Sequence, residues 1–385
     1  MSETRVGLAE ITKHFETLKD PRVDINVKHP FVSVLVIALL AVLAGANGPT
    51  AIAKWALTQK AFLLSVLDLP HGLPGKDVFR YVLQLVNPQA FQACFAAWLQ
   101  ALREAAAAET ELEQPIFNVD GKSLRRSHDH KHGLGVLHSV SLWASEFGLS
   151  LGQVACAEKS NEITAIPELL RLVKVEGAII TIDAMGTQKD IAAQIVEQEA
   201  DYVLALKGNQ PTLQQAVVEY IEKQSENNFA DCDARRHETT EKGHGRVETR
   251  QYVHLSVPDD LAHLDLWKGL QTIGRATTVC VRNGQETVET RYFISSLPVG
   301  VKRFARAVRS HWGIENGCHW TLDMTFREDE SRIRDEHLRE NMAWLNRFVL
   351  SLLKQHPSKD SIAMKRRCCG WSSDFLLEVL SGIRT

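Results

Sequence analysis

The chain has 385 residues, 44% of them hydrophobic and 24% charged, the makeup of a soluble globular protein long enough for two or three domains. A net charge of -3 excludes a globally basic surface, so any nucleic-acid binding must rest on local patches. Seven scattered cysteines, an odd number with no CxxC pair, fit reduced thiols in a cytoplasmic protein better than a disulfide framework.

From Gly7 to about Glu111 the spacing of apolar residues predicts helices over Leu8–Leu18, Pro30–Ala46, Thr50–Leu67, Lys76–Val86 and Pro88–Glu111. Gly48-Pro49 and the Pro70–Gly75 stretch punctuate them. An all-helical domain over residues 1–112 is expected. Its most apolar run, Phe31–Ala46, is slightly short for a membrane span and lies behind an acidic and polar leader, so it reads as a buried helix and no membrane association is expected. Lys54, Lys60, Lys76 and Arg80 are either phosphate contacts or ordinary solvated surface.

After Pro115 the pattern changes to strand runs over Ile116–Asp120, Leu137–Ala144 and Leu149–Ala157. A helix over Ile163–Val173, a strand over Ala178–Asp183, a helix over Gln188–Gln198 and a strand over Tyr202–Leu206 follow. The order βββαβαβ is that of a ribonuclease-H-like mixed sheet. Between Pro211 and Leu297 the period turns mainly to two, and Asn283-Gly284 is a two-residue hairpin signal, which predicts a β-rich insertion at about 211–298. Phe304–Cys318 reads as the last core helix, with C-terminal helices over Arg339–Lys354 and Phe375–Leu380. The expected fold class is α/β: a ribonuclease-H-like core with a β-rich insertion over residues 113–385, preceded by the helical domain.

Two of the strand runs end in an acid, Asp120 and Asp183, and the last core helix offers Glu315. Carboxylates are hard oxygen ligands that suit Mg²⁺ or Mn²⁺. Two such ions can activate a water or a 3′-hydroxyl on one side of a phosphorus and stabilise the leaving oxygen on the other, so phosphodiester chemistry leads. In that scheme Asp120 bridges both ions, Asp183 binds one and Glu315 the other. Taken singly, a strand-end aspartate is more often a turn or cap residue, and Asp323, Glu328, Asp329 and Glu330 stand just downstream as alternatives to Glu315.

His311, Glu315 and His319 recur at helical spacing and are expected on one face, with Trp312, Asn316 and Trp320 as a neighbouring stripe, for which core packing is the competing reading. Histidines at that spacing, and the loop His128-Asp129-His130-Lys131-His132, raise zinc as a rival metal, but no HExxH is present. Basic residues flank the acids: Lys122, Arg125 and Arg126 after Asp120, and Lys302, Arg303, Arg306 and Arg309 before Glu315. His244, Arg246 and Arg250 fall on one face of a probable strand. Each cluster has a solvated-surface alternative; their convergence on one acidic centre favours DNA over a small phosphate ester.

Several motifs resemble a known family. They are Asp120-Gly121-Lys122-Ser123-Leu124-Arg125-Arg126-Ser127, Lys159-Ser160-Asn161-Glu162 with its continuation to Leu170, Thr181-Ile182-Asp183-Ala184-Met185-Gly186, Asp201–Gln210, Glu241-Lys242-Gly243-His244-Gly245-Arg246-Val247-Glu248, Arg291–Leu297 and His311-Trp312-Gly313-Ile314-Glu315-Asn316. Together they resemble the ISAs-type, H-repeat-associated insertion-sequence transposases, and Leu18–Arg22 and Ala41–Ala46 are similar to the helical domain that accompanies them. The resemblance covers nearly the whole chain. It implies a DDE transposase whose acids map onto Asp120, Asp183 and Glu315, with Mg²⁺ or Mn²⁺ as cofactor.

The same resemblance implies double-stranded DNA as partner, both terminal inverted repeats and target, with Lys122, Arg125, Arg126, Lys207, Arg246, Arg309 and His311 as candidate DNA contacts. The wider superfamily's Tyr-x2-Arg-x3-Glu-x6-Lys signature falls on Val308, His311, Glu315 and Leu322, so only the glutamate survives; the phosphate-binding roles of the other three are unassigned, with His311 or Arg309 as candidate substitutes. Cleavage of both ends in one paired complex implies at least a dimer on DNA. The alternative is a decayed copy that still folds and binds DNA but no longer cuts.

Overall fold

The computed structural model describes residues 3–23, 25, 27–95, 99, 114–129, 131, 133–156, 162–243, 245–261 and 263–381. Five N-terminal helices come first: α1 (Glu3–Glu16), α2 (Phe31–Leu43), α3 (Pro49–Thr58), α4 (Lys60–Val66) and α5 (Lys76–Leu85). The single helix expected over Thr50–Leu67 is broken at Gln59. There the Thr58 hydroxyl donates back to the Trp55 carbonyl at 2.7 Å, a local bond that competes with the helical ladder. Most of the expected helix Pro88–Glu111 lies outside the described residues, whose helical part here is 88–95.

Strands and helices then alternate: β1 (Ile116–Leu124), β2 (Leu137–Ala144), β3 (Leu149–Cys156), α6 (Glu162–Leu172), β4 (Ile179–Ile182), α7 (Lys189–Glu197), β5 (Asp201–Leu206) and α8 (Pro211–Glu226). Helix α8 corrects the expectation of period-two sequence from Pro211 onward. Leu213, Val217 and Ile221 are buried at four-residue spacing behind a proline in the first turn, a helical signature inside a segment dominated downstream by strands. Four strands follow, β6 (Ala234–Gly243), β7 (Arg246–Ser256), β8 (Thr272–Arg282) and β9 (Gln285–Ser295). The last two are joined by Asn283-Gly284 at φ of 51° and 75°, the positive values a two-residue hairpin turn requires.

The C-terminal part consists of α9 (Val301–Ile314), a π-helical turn over Glu315–His319, α10 (Trp320–Met324), α11 (Glu336–Gln355), α12 (Ile362–Trp371) and α13 (Ser373–Ser381). The chain gathers into two compact units. One comprises Met1–Glu111, Gly121–Asn161 and Glu315–Thr385; the other comprises Leu112–Asp120 and Glu162–Ile314.

The first unit is organised around α2. Twelve of its thirteen residues are buried, because α1, α3, α5, α11 and α12 all pack on it. The apolar run is thus core, and among the described residues no helix is long and apolar enough to cross a membrane. At the C-terminal end of α2, Arg366 on α12 donates at 2.9 Å to the Val42 carbonyl, which also accepts the Gly45 N–H at 3.1 Å. In this unit the strand order is β3-β2-β1, with β1 entering by its last four residues.

In the second unit the order is β1-β4-β5-β9-β8-β7-β6. Strands β1, β4 and β5 are parallel, and from β5 onward neighbours are antiparallel. Helix α9 covers this sheet through Phe304, Ala307 and Val308, which pack with Ile116, Ile179, Val203, Tyr252 and Phe293. The Phe304 ring fills the space over Gly274, where an added Cβ would lie 2.4 Å from Cζ. His254 stacks on the same ring at 4.7 Å, and its Nδ1 accepts the Gly300 N–H at 3.0 Å, fixing the entry to α9.

Burial pushes the His254 imidazole down to about 4, whereas in an unfolded chain it titrates near 6.5. The native state holds the neutral ring and the unfolded state takes up the proton. Its contribution to stability is therefore complete above about pH 6.5 and is lost as the pH falls toward 4. Melting temperatures should decline from pH 7 to 4.5, and His254→Phe, which keeps an aromatic ring on Phe304 but cannot titrate, should flatten the decline.

Candidate active site

The parallel register of β1 and β4 runs Ile116↔Ile179, Phe117↔Ile180, Asn118↔Thr181 and Val119↔Ile182. Asp120 and Asp183 follow directly on the last of these pairs, on strands whose axes lie about 4.8 Å apart. Strand β4 ends at Ile182, one residue short of the expected Asp183, and Asp120 is not a strand end: β1 continues through Gly121-Lys122-Ser123 to Leu124. A glycine followed by a lysine reads locally as a turn, whereas here β2 continues the pairing on the other side of β1. Both aspartates are half-buried.

Asp183 is built into a turn. Its Oδ1 accepts the Gly186 N–H at 3.2 Å, and its carbonyl accepts the Thr187 hydroxyl at 3.0 Å. The loop after β5 buttresses that turn: the Asn209 amide donates to the Ala184 carbonyl, and Gln210 Nε2 to the Thr187 carbonyl at 3.1 Å. A Cβ on Gly186 would lie 2.4 Å from Ile182 Cγ2 and 2.7 Å from Ile166 Cδ1.

Sequence reasoning missed the layer beneath the acids. Asn118, fully buried, donates through Nδ2 to Thr181 Oγ1 at 2.6 Å and to Ser310 Oγ at 3.1 Å. Thr181 Oγ1 lies 2.9 Å from His311 Nδ1. The available signal was a polar Asn118 within an otherwise apolar strand run, since a buried amide needs partners.

Glu315 belongs to the first unit, where it opens the π-helical turn directly after α9. That turn interrupts the continuous α-helix expected over Phe304–Cys318, because its bonds span five residues. Glu315 and Asn316 are exposed. His319 is half-buried, and burial, then the positive charges of Arg347 and Lys122, push its imidazole down to about 3. Trp312 carries Arg291 over its ring at 4.3 Å, while Trp320 is 60% exposed.

The four downstream carboxylates are all engaged. Asp323 pairs with Lys122 at 2.5 Å, Asp329 with Lys122 and Arg125, Glu330 with Arg327 at 2.6 Å, and buried Glu328 with Arg347 at 3.3 Å. Glu315 makes no ion pair among the described residues.

The candidate DNA contacts have diverse surroundings. Lys122 is 6% exposed within its two ion pairs, and His311 is half-buried with Nδ1 turned to Thr181. Arg125, Arg246 and Arg309 are exposed, each bonded to a carboxylate (Asp329, Glu248 and Glu241, respectively); Arg126 and Lys207 are exposed. His244, His130 and His132 lie outside the described residues.

Among the described residues no group of three or more His, Cys, Asp or Glu is gathered as a metal cluster. Asp120 and Asp183 are a pair of hard oxygen donors at neighbouring positions, a set that fits Mg²⁺ or Mn²⁺ and lacks the nitrogen or sulfur ligands zinc prefers.

The family described as "Transposase DDE domain" matches residues 111–352, and the one described as "DDE_Tnp_1-associated" matches residues 12–99. The chain is 33% identical to the "H repeat-associated putative transposase YhhI" of Escherichia coli (strain K12), covering 97% of this chain and 98% of that protein. It is 35% identical to the "Putative transposase YncI" of Escherichia coli O157:H7, covering 98% of this chain and 95% of that one. Among solved structures, a piggyBac transposase synaptic complex with hairpin DNA is similar over 96% of this chain and 78% of that chain, at a TM-score of 0.39 and 11% identity.

Gly186→Ala should destabilise the protein by about 1–3 kcal/mol, the usual cost of overpacking, because Ile182 and Ile166 leave no room for the added methyl. Denaturant unfolding of the two proteins side by side checks this; equal midpoints would mean that the Asp183 turn is not held as described.

Proposed function

The chain belongs to the DDE transposase family, and from that premise we propose that it cuts DNA at the inverted repeats of a mobile element and joins the exposed 3′-hydroxyl ends to target DNA. The observation that carries this reading is the placement of Asp120 and Asp183 side by side, at the end of the β1–β4 register. Glu315 is the third acid. Its exposure supports that role, as does the engagement of every neighbouring carboxylate in an ion pair. The parallel order β1-β4-β5 of the second unit supports a ribonuclease-H-like core. The helices of residues 1–112 form the accompanying domain, and 113–385 the catalytic domain with its insertion.

Asp120 and Asp183, with Glu315, would hold Mg²⁺ or Mn²⁺, which when bound lowers the pKa of a ligated oxygen and neutralises charge developing on the phosphoryl group. In the first step a water oxygen bonds to phosphorus as the bond to the 3′-oxygen breaks, and that oxygen leaves as a hydroxyl. In the second step this hydroxyl attacks a target phosphodiester, and the target's own 3′-oxygen departs with the proton. The protein's share is to hold its acids at fixed spacing and to align the strand. Arg126 and Lys207 are exposed cations suited to phosphate. The surface pairs of Arg125, Arg246 and Arg309 are weak enough in water to exchange a carboxylate for DNA. Cutting two ends together calls for at least two copies on the DNA.

The test is Mg²⁺- or Mn²⁺-dependent cleavage and joining of element-end DNA by wild type, Asp120→Asn, Asp183→Asn and Glu315→Gln. Each variant should lose at least about 100-fold in cleavage while retaining end binding. Specific end binding without cleavage by wild type would instead identify a decayed, DNA-binding copy.

A further inference from the structure

Asn118 and Thr181 are register partners on β1 and β4, two residues before Asp120 and Asp183. Side chains two apart on a strand share a face, so buried Asn118 lies on the face of Asp120, and its partner Thr181 lies two residues ahead of the Asp183 turn. Ser310 and His311, in the last turn of α9, meet this pair from the helix side: Asn118 Nδ2 reaches Ser310 Oγ at 3.1 Å, and His311 Nδ1 stands 2.9 Å from Thr181 Oγ1. Four side chains thus tie both strands to one helix turn. The central Asn118–Thr181 bond measures 2.6 Å, and Asn118 and Thr181 are 0% and 2% exposed.

His311 occupies the position where the wider superfamily's signature carries an arginine, which suggested a phosphate contact. Its surroundings argue otherwise. Nδ1 stands 2.9 Å from the hydroxyl of a buried threonine, so this ring nitrogen is committed to the interior layer and not to a phosphate.

We propose that His311 is a positioning residue: with Asn118, Thr181 and Ser310 it fixes the spacing and direction of the Asp120 and Asp183 carboxylates toward divalent ions, and it does not bind DNA. The inference rests on reading those two aspartates as metal ligands. The reason is geometric. The direction of each carboxylate is set by the backbone that carries it, and productive ligation tolerates errors of only about 0.5 Å. Outer groups that lock such ligands commonly matter 10–100-fold to metal affinity or activity.

The experiment uses the full chain without DNA, titrated calorimetrically with Mn²⁺, alongside gel-shift binding of element-end DNA across a range of salt. His311→Leu and Thr181→Val should each weaken Mn²⁺ binding about 10–100-fold and lower cleavage in step. End-DNA affinity and its salt dependence should stay at wild-type values. His311→Gln, whose amide can still bond Thr181, should recover part of the loss. Thr181→Val keeps the side chain's size and carries the test if His311→Leu does not fold.

Unchanged Mn²⁺ affinity in His311→Leu and Thr181→Val would overturn the proposal. If His311→Leu also lost DNA affinity and salt dependence, His311 would be a phosphate contact. Asp183→Asn separates the levels: if it too leaves Mn²⁺ affinity unchanged, the metal-ligand reading itself has failed, whereas an Asp183→Asn loss without a His311→Leu loss defeats only the positioning role.

Discussion

Everything about the candidate site depends on the in-register parallel pairing of β1 with β4. Two strands far apart in sequence deliver an acid each to neighbouring positions only if their hydrogen-bonded ladders align residue for residue. A slip of one residue would turn one of the acids to the opposite face. The Asn118–Thr181 bond is a register lock of unusual strictness, since slippage would leave a buried amide without its partner, at a cost of about 1–3 kcal/mol. Apolar neighbours such as Ile116 and Ile179 supply most of the burial energy but tolerate more than one alignment.

The first unit solves a different problem, that of holding charge inside a helical core. Arg347 on α11 is fully buried, bonded to Glu328, Ser139 and Ser141, so that nearly every face of the guanidinium has a partner. Such an arrangement contributes little net stability relative to apolar packing, yet losing either partner strands a charge in the interior. Lys122 with Asp323 and Asp329 repeats the device nearer the surface. These commitments have a chemical side effect. A carboxylate already matched to a guanidinium or ammonium is a poor recruit for another cation, which narrows the choice among the five acids between residues 315 and 330.

Much of this was legible in the chain. The apolar runs ending at Asp120 and Asp183 pointed to the right strands, the helices over Lys76–Leu85 and Lys189–Glu197 announced themselves by period, and Asn283-Gly284 marked its hairpin. What was illegible depended on partners distant in sequence. Gly121-Lys122 looks like a turn unless β2 is known to pair beyond it, and the burial of Lys122 is set by Asp323, 201 residues away. The π-helical turn at Glu315 leaves no compositional trace, so the sequence reads there as unbroken α-helix. Helix α8 failed for a simpler reason: its stripe of Leu213, Val217 and Ile221 is narrow, and the strands that follow dominate the window.

The central position of α2 also bears on how the chain reaches its native state. Its apolar surface is covered partly by near neighbours α1, α3 and α5, but also by α11 and α12, which begin about 300 positions further along. At a ribosomal pace of about 5–20 residues per second, that separation corresponds to roughly 15–60 seconds. During that interval a thirteen-residue hydrophobic helix lacks two of its permanent partners. The packing around α2 is therefore completed only once the C-terminal helices have been made.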